Sequence, residues 1–320
     1  MILVTGGLGF IGLHTTRALL DLGESCVLGQ RRPDGPPADL ADRQVVVDRV
    51  DINNEAELLA VGDRHKITGI VHLAGSMPWP RGADMPVAEE PVGDARAALN
   101  SLFNVMHAAR EWDVPRVTVA STIGVYGGVA GAGPRFEDMP LPMTSGHVIP
   151  AFKKIGELLN DYLADTTGLD IVNLRIGAIW GPGGRPTSPF FAVPQLVRAA
   201  INGTTPDLSR MTSPAYAEDA IDLCYVKDCG RAIALLQLAD RLNHRTYNVS
   251  AGRATTNAEL IAAIRQVVPD ARIDLPSGGD GEQSYLDITR IGQDTGYRPA
   301  YDTETAVADY IDWLRAGNER

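Results

Sequence analysis

The stretch Ile2–Gly12, ILVTGGLGFIG, constrains the fold more than any other part of this 320-residue chain. A short apolar run leads into glycines at positions 6, 7, 9 and 12, and the amphipathic pattern Gly12–Leu22 follows at once. Glycines so placed serve a tight turn, close approach of backbone to a pyrophosphate, and contact between helix and sheet. The helix N-terminus adds free N–H groups and a partial positive charge. Gly6, Gly9, Phe10, Ile11 and Gly12 are therefore the expected phosphate cradle of a dinucleotide. The bland alternative, a glycine-rich turn without a ligand, is disfavoured by the strand-to-helix context.

The same alternation runs through the first half of the chain. Met1–Thr5, Cys26–Leu28, Val45–Val47, Ile70–Leu73, Val117–Ala120 and Ile171–Leu174 read as strands buried on both faces. Gly12–Leu22, Glu55–Val61 and Leu102–Trp112 read as helices between them. This predicts an α/β fold with a doubly wound parallel Rossmann sheet. From about Trp180 the turn-rich GPGGRPTSPFF breaks the alternation, predicting a smaller C-terminal substrate-binding region at the carboxyl ends of the strands. The expected division is 1–178 for the Rossmann domain and 179–320 mainly for the substrate region, with about 216–250 returning to the Rossmann domain.

Composition narrows the function. A net charge of −11 repels polyanions, which argues against nucleic acid and anionic membranes as partners. No apolar run reaches the roughly 20 residues of a membrane span. Cys26, Cys224 and Cys229 match neither a disulfide framework nor a zinc spacing, so no metal is expected and the chain reads as cytoplasmic.

The end of the second strand, CVLGQRRP, bears on which nicotinamide cofactor is held. An acid there would hold the adenosine ribose 2′-hydroxyl, whereas arginine tolerates a 2′-phosphate. Gln30 fills the acid position and Arg31 and Arg32 follow, so the reading leans to NADP over NAD. Asp51 has two readings, an acceptor for the adenine amino group or an N-cap for the helix starting near Asn54.

Together these segments resemble the extended short-chain dehydrogenase/reductase family of NAD-dependent epimerases and dehydratases. TGGLGFIG is similar to its TGGxGxIG, DIN at Asp51–Asn53 to its adenine-contacting acid, and VHLAG at Val71–Gly75 to its fourth-strand signature. ASTIGVYG at Ala120–Gly127, LRIGAIWGPGG at Leu174–Gly184, CYVKD at Cys224–Asp228 and YNVSAG at Tyr247–Gly252 follow in the family's order. The resemblance implies cofactor contacts from Ile52, Leu73, Ala74, Gly75, Lys153 and Ile176, and a nucleotide-linked sugar or related small molecule as substrate. It also implies a homodimer through Leu102–Arg110 and Lys153–Tyr162. The implied activity is hydride transfer between nicotinamide and a carbinol or ketone.

Carried over by motif, Thr122 orients the substrate oxygen and Lys153 is the family lysine. Ile149 falls where the family keeps its proton-transferring tyrosine, and sliding the register to Lys154 puts Pro150 there instead. Tyr126, His147 and Lys153 are the candidates for the missing role, with Glu137 or Asp138 for a dehydratase-like mechanism. Arg185 and Arg210 are candidate anchors for a substrate diphosphate, and Arg175 reads as structural. The competing function is a non-catalytic NAD(P)-binding sensor or docking protein, which would retain the cofactor site but have little use for Thr122.

Overall fold

The computed structural model describes residues 1–31, 35–75, 90–146, 148–279 and 283–319. Its strands are β1 Ile2–Thr5, β2 Cys26–Gln30, β3 Val45–Arg49, β4 Gly69–His72, β5 Arg116–Ala120, β6 Gly133–Arg135, β7 Asp170–Ile176, β8 Ala178–Trp180, β9 Ala220–Ile221, β10 Leu223–Tyr225, β11 Thr246–Val249, β12 Thr255–Thr256 and β13 Ser284–Leu286. Its helices are α1 Phe10–Asp21, α2 Glu55–Arg64, α3 Pro91–Glu111, α4 Val148–Thr167, α5 Val193–Asn202, α6 Val226–Leu238, α7 Asn257–Val267, α8 Thr289–Thr295 and α9 Thr303–Arg315.

Seven strands form one sheet in the order β3-β2-β1-β4-β5-β7-β11, and every pairing in it is parallel. β1 and β4 are buried at every position, as strands covered by helices on both faces must be. In register, Thr5 stands between Gly29 of β2 and His72 of β4. The strand order reverses between β1 and β4, and the crevice at that switch point is where such sheets take ligands.

One face of the sheet is covered by α1 and α6, with Leu19, Leu20, Ile233 and Leu236 in its core. On the other face α2, α3 and α4 enclose Leu58, Val105, Met106 and Ala164. A separate core lies among α5, α7 and α9, where Trp180 meets Tyr225 and Tyr310 edge-on at 5.1 and 6.2 Å between ring centroids. The pairs β8–β10, β9–β12 and β6–β13 tie this region to the sheet's carboxyl end.

Element ends differ from the sequence reading for local reasons. β2 runs on to Gln30 and β7 to Ile176, because pairing with β3 and β11 continues past the apolar core. α2 is capped by Asn54, whose side chain accepts from Glu57 N, so the N-cap reading of Asp51 is corrected. α3 begins at Pro91, well before Leu102, where Glu90 caps the helix by accepting from Val92 N and Gly93 N.

Candidate active site

The loop from β1 to α1 is built for an anion. Gly6 has φ +71°, and a Cβ on Gly12 would lie 2.1 Å from Gly6 O, so a side chain at position 12 collides with backbone. Gly9 caps α1 without a side chain, and the first turn carries no acid. The N–H groups there are left to a ligand, and the helix end favours negative charge.

Beside this loop a cavity of about 230 Å³ is lined by Gly6, Gln30, Arg31, Asp51, Ile52 and Ala74, among others. It brings together residues 6, 30, 51 and 74 from four strand ends, as the sequence reading requires. With its amide oxygen facing the loop, Gln30 accepts from Gly7 N and Leu8 N at 2.7 Å each. Gln30 therefore braces the glycine turn, and its amide N–H₂ is left as a donor on the cavity side. Asp51 Oδ1 accepts from Asn53 N at 3.0 Å, and its second carboxylate oxygen makes no intramolecular hydrogen bond among the described residues. Arg31 is exposed at the rim. Arg32 lies outside the described residues. These groups fit a dinucleotide: small residues under the phosphates, open N–H donors, and polar side chains at the adenosine end.

A narrower cleft of about 50 Å³ continues between the ends of β4 and β5 and the helices α3 and α4. Lys153, His72, Ser121, Ala74 and Gly75 line it. The two adjacent lysines diverge here. Lys154 turns away and donates to Thr144 O at 2.9 Å and to Pro142 O, whereas Lys153 faces the cleft. Desolvation holds the Lys153 ammonium down to about 8. Thr122 begins the short turn Ile123–Tyr126, its Oγ1 accepting from Gly124 N at 3.2 Å. A Cβ on Gly124 would lie 3.0 Å from Pro150 Cγ and 3.5 Å from Thr122 Oγ1, so Thr122 and the first turn of α4 share a wall. Leu73 follows β4 and its N–H donates to Thr5 O, while Ile176 is buried at the end of β7.

Tyr126 does not face this cleft. Its side chain is buried, and its hydroxyl donates to Asn248 Oδ1 at 2.8 Å and accepts from Arg175 Nη1 at 2.9 Å. The Arg175 guanidinium lies 5.0 Å from its ring centroid, and burial raises the phenol's pKa. Tyr126 is therefore corrected from candidate acid to structural bridge. Glu137 is also buried, its Oε1 accepting from Asn248 N at 2.9 Å, and Asp138 is paired with Arg290 at 2.6 Å. Neither carboxylate is offered to the cleft. His147 lies outside the described residues.

The sequence reading missed Thr5, His72 and Ser121 as site residues and used Glu157 only to fix the register. Thr5 Oγ1 accepts from Ala74 N at 3.2 Å and is hydrogen-bonded to His72 Nδ1 at 2.8 Å. Ser121 Oγ donates to Glu157. The alternation Ile70-Val-His72 carried the only signal, a polar residue ending an otherwise apolar strand.

On the substrate side, a cavity of about 450 Å³ is lined by Phe190, Phe191, Met211, Tyr216, Asp219 and Asn257, among others. Arg185 and Arg210 are exposed and do not line it, so the cavity presents phenyl, amide, hydroxyl and carboxylate groups rather than guanidinium. Among the described residues no group of three His, Cys, Asp or Glu side chains forms a metal site, and no helix is long and apolar enough to cross a membrane.

A seven-stranded parallel sheet with a glycine cradle at its switch point, an adenosine-sized cavity beside it and a lysine in the adjoining cleft defines a nicotinamide-dinucleotide-binding protein of Rossmann type. The chain belongs to the NAD dependent epimerase/dehydratase family, whose pattern matches residues 2–250. It is 27% identical to a dTDP-glucose 4,6-dehydratase of an Actinoplanes species, over 98% of each chain. Two solved structures share the fold. A UDP-glucose 4-epimerase of Thermotoga maritima, determined with UDP-glucose, superposes with a TM-score of 0.80 at 22% identity and 99% coverage of each chain. A UDP-glucose 4-epimerase of Thermus thermophilus in complex with NAD gives 0.77 at 24% identity and 98% coverage of each.

Proposed function

We propose that this chain is an NAD(P)-dependent epimerase, dehydratase or reductase acting at a carbinol or ketone carbon of a nucleotide-linked sugar. The observation that carries the reading is the meeting of three parts at one strand-end crevice: the glycine cradle, the Gln30–Asp51 cavity and the cleft that Lys153 and Ser121 line. When bound, a nicotinamide exchanges hydride with the substrate carbon. Thr122 orients the substrate oxygen. The 450 Å³ cavity with its phenyl rings and Asn257 amide suits a planar base, and the exposed Arg185 and Arg210 remain the candidate anchors for the diphosphate.

The finer cofactor reading favours NADP. Gln30 carries no charge to repel a 2′-phosphate, its amide N–H₂ is a donor, and Arg31 stands at the rim. The exposed apolar side chains Phe103 on α3 and Ile155, Leu158 and Tyr162 on α4 favour a homodimer packed through these helices. Three free buried thiols suit the reducing cytoplasm.

The test is incubation of the purified protein with UDP- and dTDP-hexoses, following reduced nicotinamide at 340 nm and sugar products by NMR. A product altered at the oxidised carbon, lost in Thr122→Ala while dinucleotide binding stays, supports the enzyme. Binding of dinucleotide with no turnover, unaltered by Thr122→Ala, selects the sensor reading instead.

A further inference from the structure

Ile149 and Lys153 are one turn apart on α4, so their side chains share a face of the helix. Long side chains on a helix lean toward its N-terminus, over the preceding turn. The Lys153 side chain lines the cleft with His72 and Ser121 from the ends of β4 and β5, and Thr122 is the residue that follows Ser121.

Every other titratable group facing this cleft among the described residues is held. On β4, His72 Nδ1 is hydrogen-bonded to Thr5 Oγ1, and burial with the nearby Lys153 charge pushes its pKa down to about 3. After the end of β5, Ser121 Oγ donates a hydrogen bond to Glu157. Glu157, on α4 itself, is clamped by Arg175 of β7 through Nε and Nη2. From α3 the lining is Ala98, Leu99, Ser101 and Leu102, none of which titrates. Lys153 alone makes no hydrogen bond among the described residues.

We propose that Lys153 is itself the acid–base residue of this cleft, exchanging a proton directly with the substrate hydroxyl that Thr122 orients. The inference rests on the oxidoreductase reading given under Proposed function. In the oxidising direction the neutral Lys153 amine takes the O–H proton and becomes an ammonium. The C–H electron pair leaves as hydride to the oxidised nicotinamide, which is reduced, and the C=O bond forms. In the reducing direction the ammonium returns the proton to the oxygen as hydride arrives at carbon. A lysine held near 8 populates both forms at working pH.

The first test needs no turnover. The rate of amine acylation at Lys153, read by peptide mass spectrometry across pH, is expected to rise with a midpoint near 8, well below the ordinary lysine value. A midpoint near 10 overturns the proposal. The second test compares Lys153→Met and Lys153→Arg. Both are expected to bind dinucleotide within tenfold of wild type and to lose turnover by ~10²–10⁴-fold. Arginine keeps the positive charge but does not release its proton, so a purely electrostatic or positioning lysine would be rescued by it. Rescue overturns the proposal, as does a His147→Ala variant that removes the pH limb of turnover while Lys153→Arg retains it. Failure of the wild-type protein to bind any dinucleotide is a different result, and it removes the oxidoreductase reading as a whole.

Discussion

Arg175 on β7 grips Glu157 on α4 with Nη2–Oε2 at 2.7 Å, and both side chains are less than a tenth exposed, at 7% and 8%. The same guanidinium reaches Tyr126 Oη and Glu137 O, and the same carboxylate receives Ser121 Oγ. This pair joins the strand end, the turn carrying Thr122 and the helix carrying Lys153 into one unit. Removing one partner leaves a buried charge without its counter-ion. Arg175→Met is expected to cost ~3–5 kcal/mol of stability by urea unfolding. A loss below about 1 kcal/mol would show that water reaches the pair.

The second strand's end makes a cofactor prediction. Gln30→Glu places a carboxylate where the amide braces Gly7 and Leu8. The carboxylate can accept from the same two N–H groups while repelling a 2′-phosphate. Isothermal titration is expected to show the NADP/NAD affinity ratio falling at least tenfold, about 1.4 kcal/mol. An unchanged ratio would place the 2′-position away from Gln30.

Acid should destabilise the protein through two buried histidines. Burial holds His14 down to about 4 and His72 to about 3, against an ordinary 6.5. Below pH 6.5 the unfolded chain binds protons that the native state refuses, so stability is present above 6.5 and lost as pH falls toward those values. At pH 5 each histidine costs about 2 kcal/mol relative to neutral pH. Asp222 has the opposite sign: burial raises it to about 6 from 3.8, so the native state gains protons first as pH drops through 6. Glu137, Asp161 and Asp228, also raised by burial, share that sign and soften the decline that the histidines impose. His14→Gln, which can still donate to Pro182 O, is expected to reduce the slope of stability against pH between 6 and 4.5 by about 1.4 kcal/mol per unit. An unchanged slope would mean that His14 titrates normally.

Leu158 and Tyr162 of α4 are 62% and 64% exposed and lie one turn apart. If α3 and α4 pair with a second copy, Leu158→Glu is expected to convert a dimer to a monomer in light scattering, leaving dinucleotide affinity within about twofold. A monomeric wild type would remove the dimer proposal.

The fold was legible because the inner strands β1, β2 and β4 are buried on both faces and read as apolar runs, whereas the edge strand β3, read the same way, leaves Val46 41% exposed. The glycine cradle was legible because no other residue fits: position 12 has backbone within 2.1 Å of where a Cβ would be. The proton site was not legible. Tyr126 has the right residue type four positions from Thr122, yet Asn248 and Arg175, distant in sequence, draw its hydroxyl inward. His72 and Ser121 gain their places through Thr5 and Glu157, contacts of sequence separation 67 and 36 that no local pattern announces. Gln30 was read as an absent acid, whereas its amide replaces part of what an acid would do for the loop.

The most direct measurement is to denature freshly purified protein, identify any released dinucleotide by absorbance and mass spectrometry, and titrate the emptied protein with NAD, NADP and their reduced forms. The account predicts a nicotinamide dinucleotide, either carried through purification or bound at micromolar concentration or below, with Gly12→Ala abolishing the binding. Failure to bind all four would contradict it.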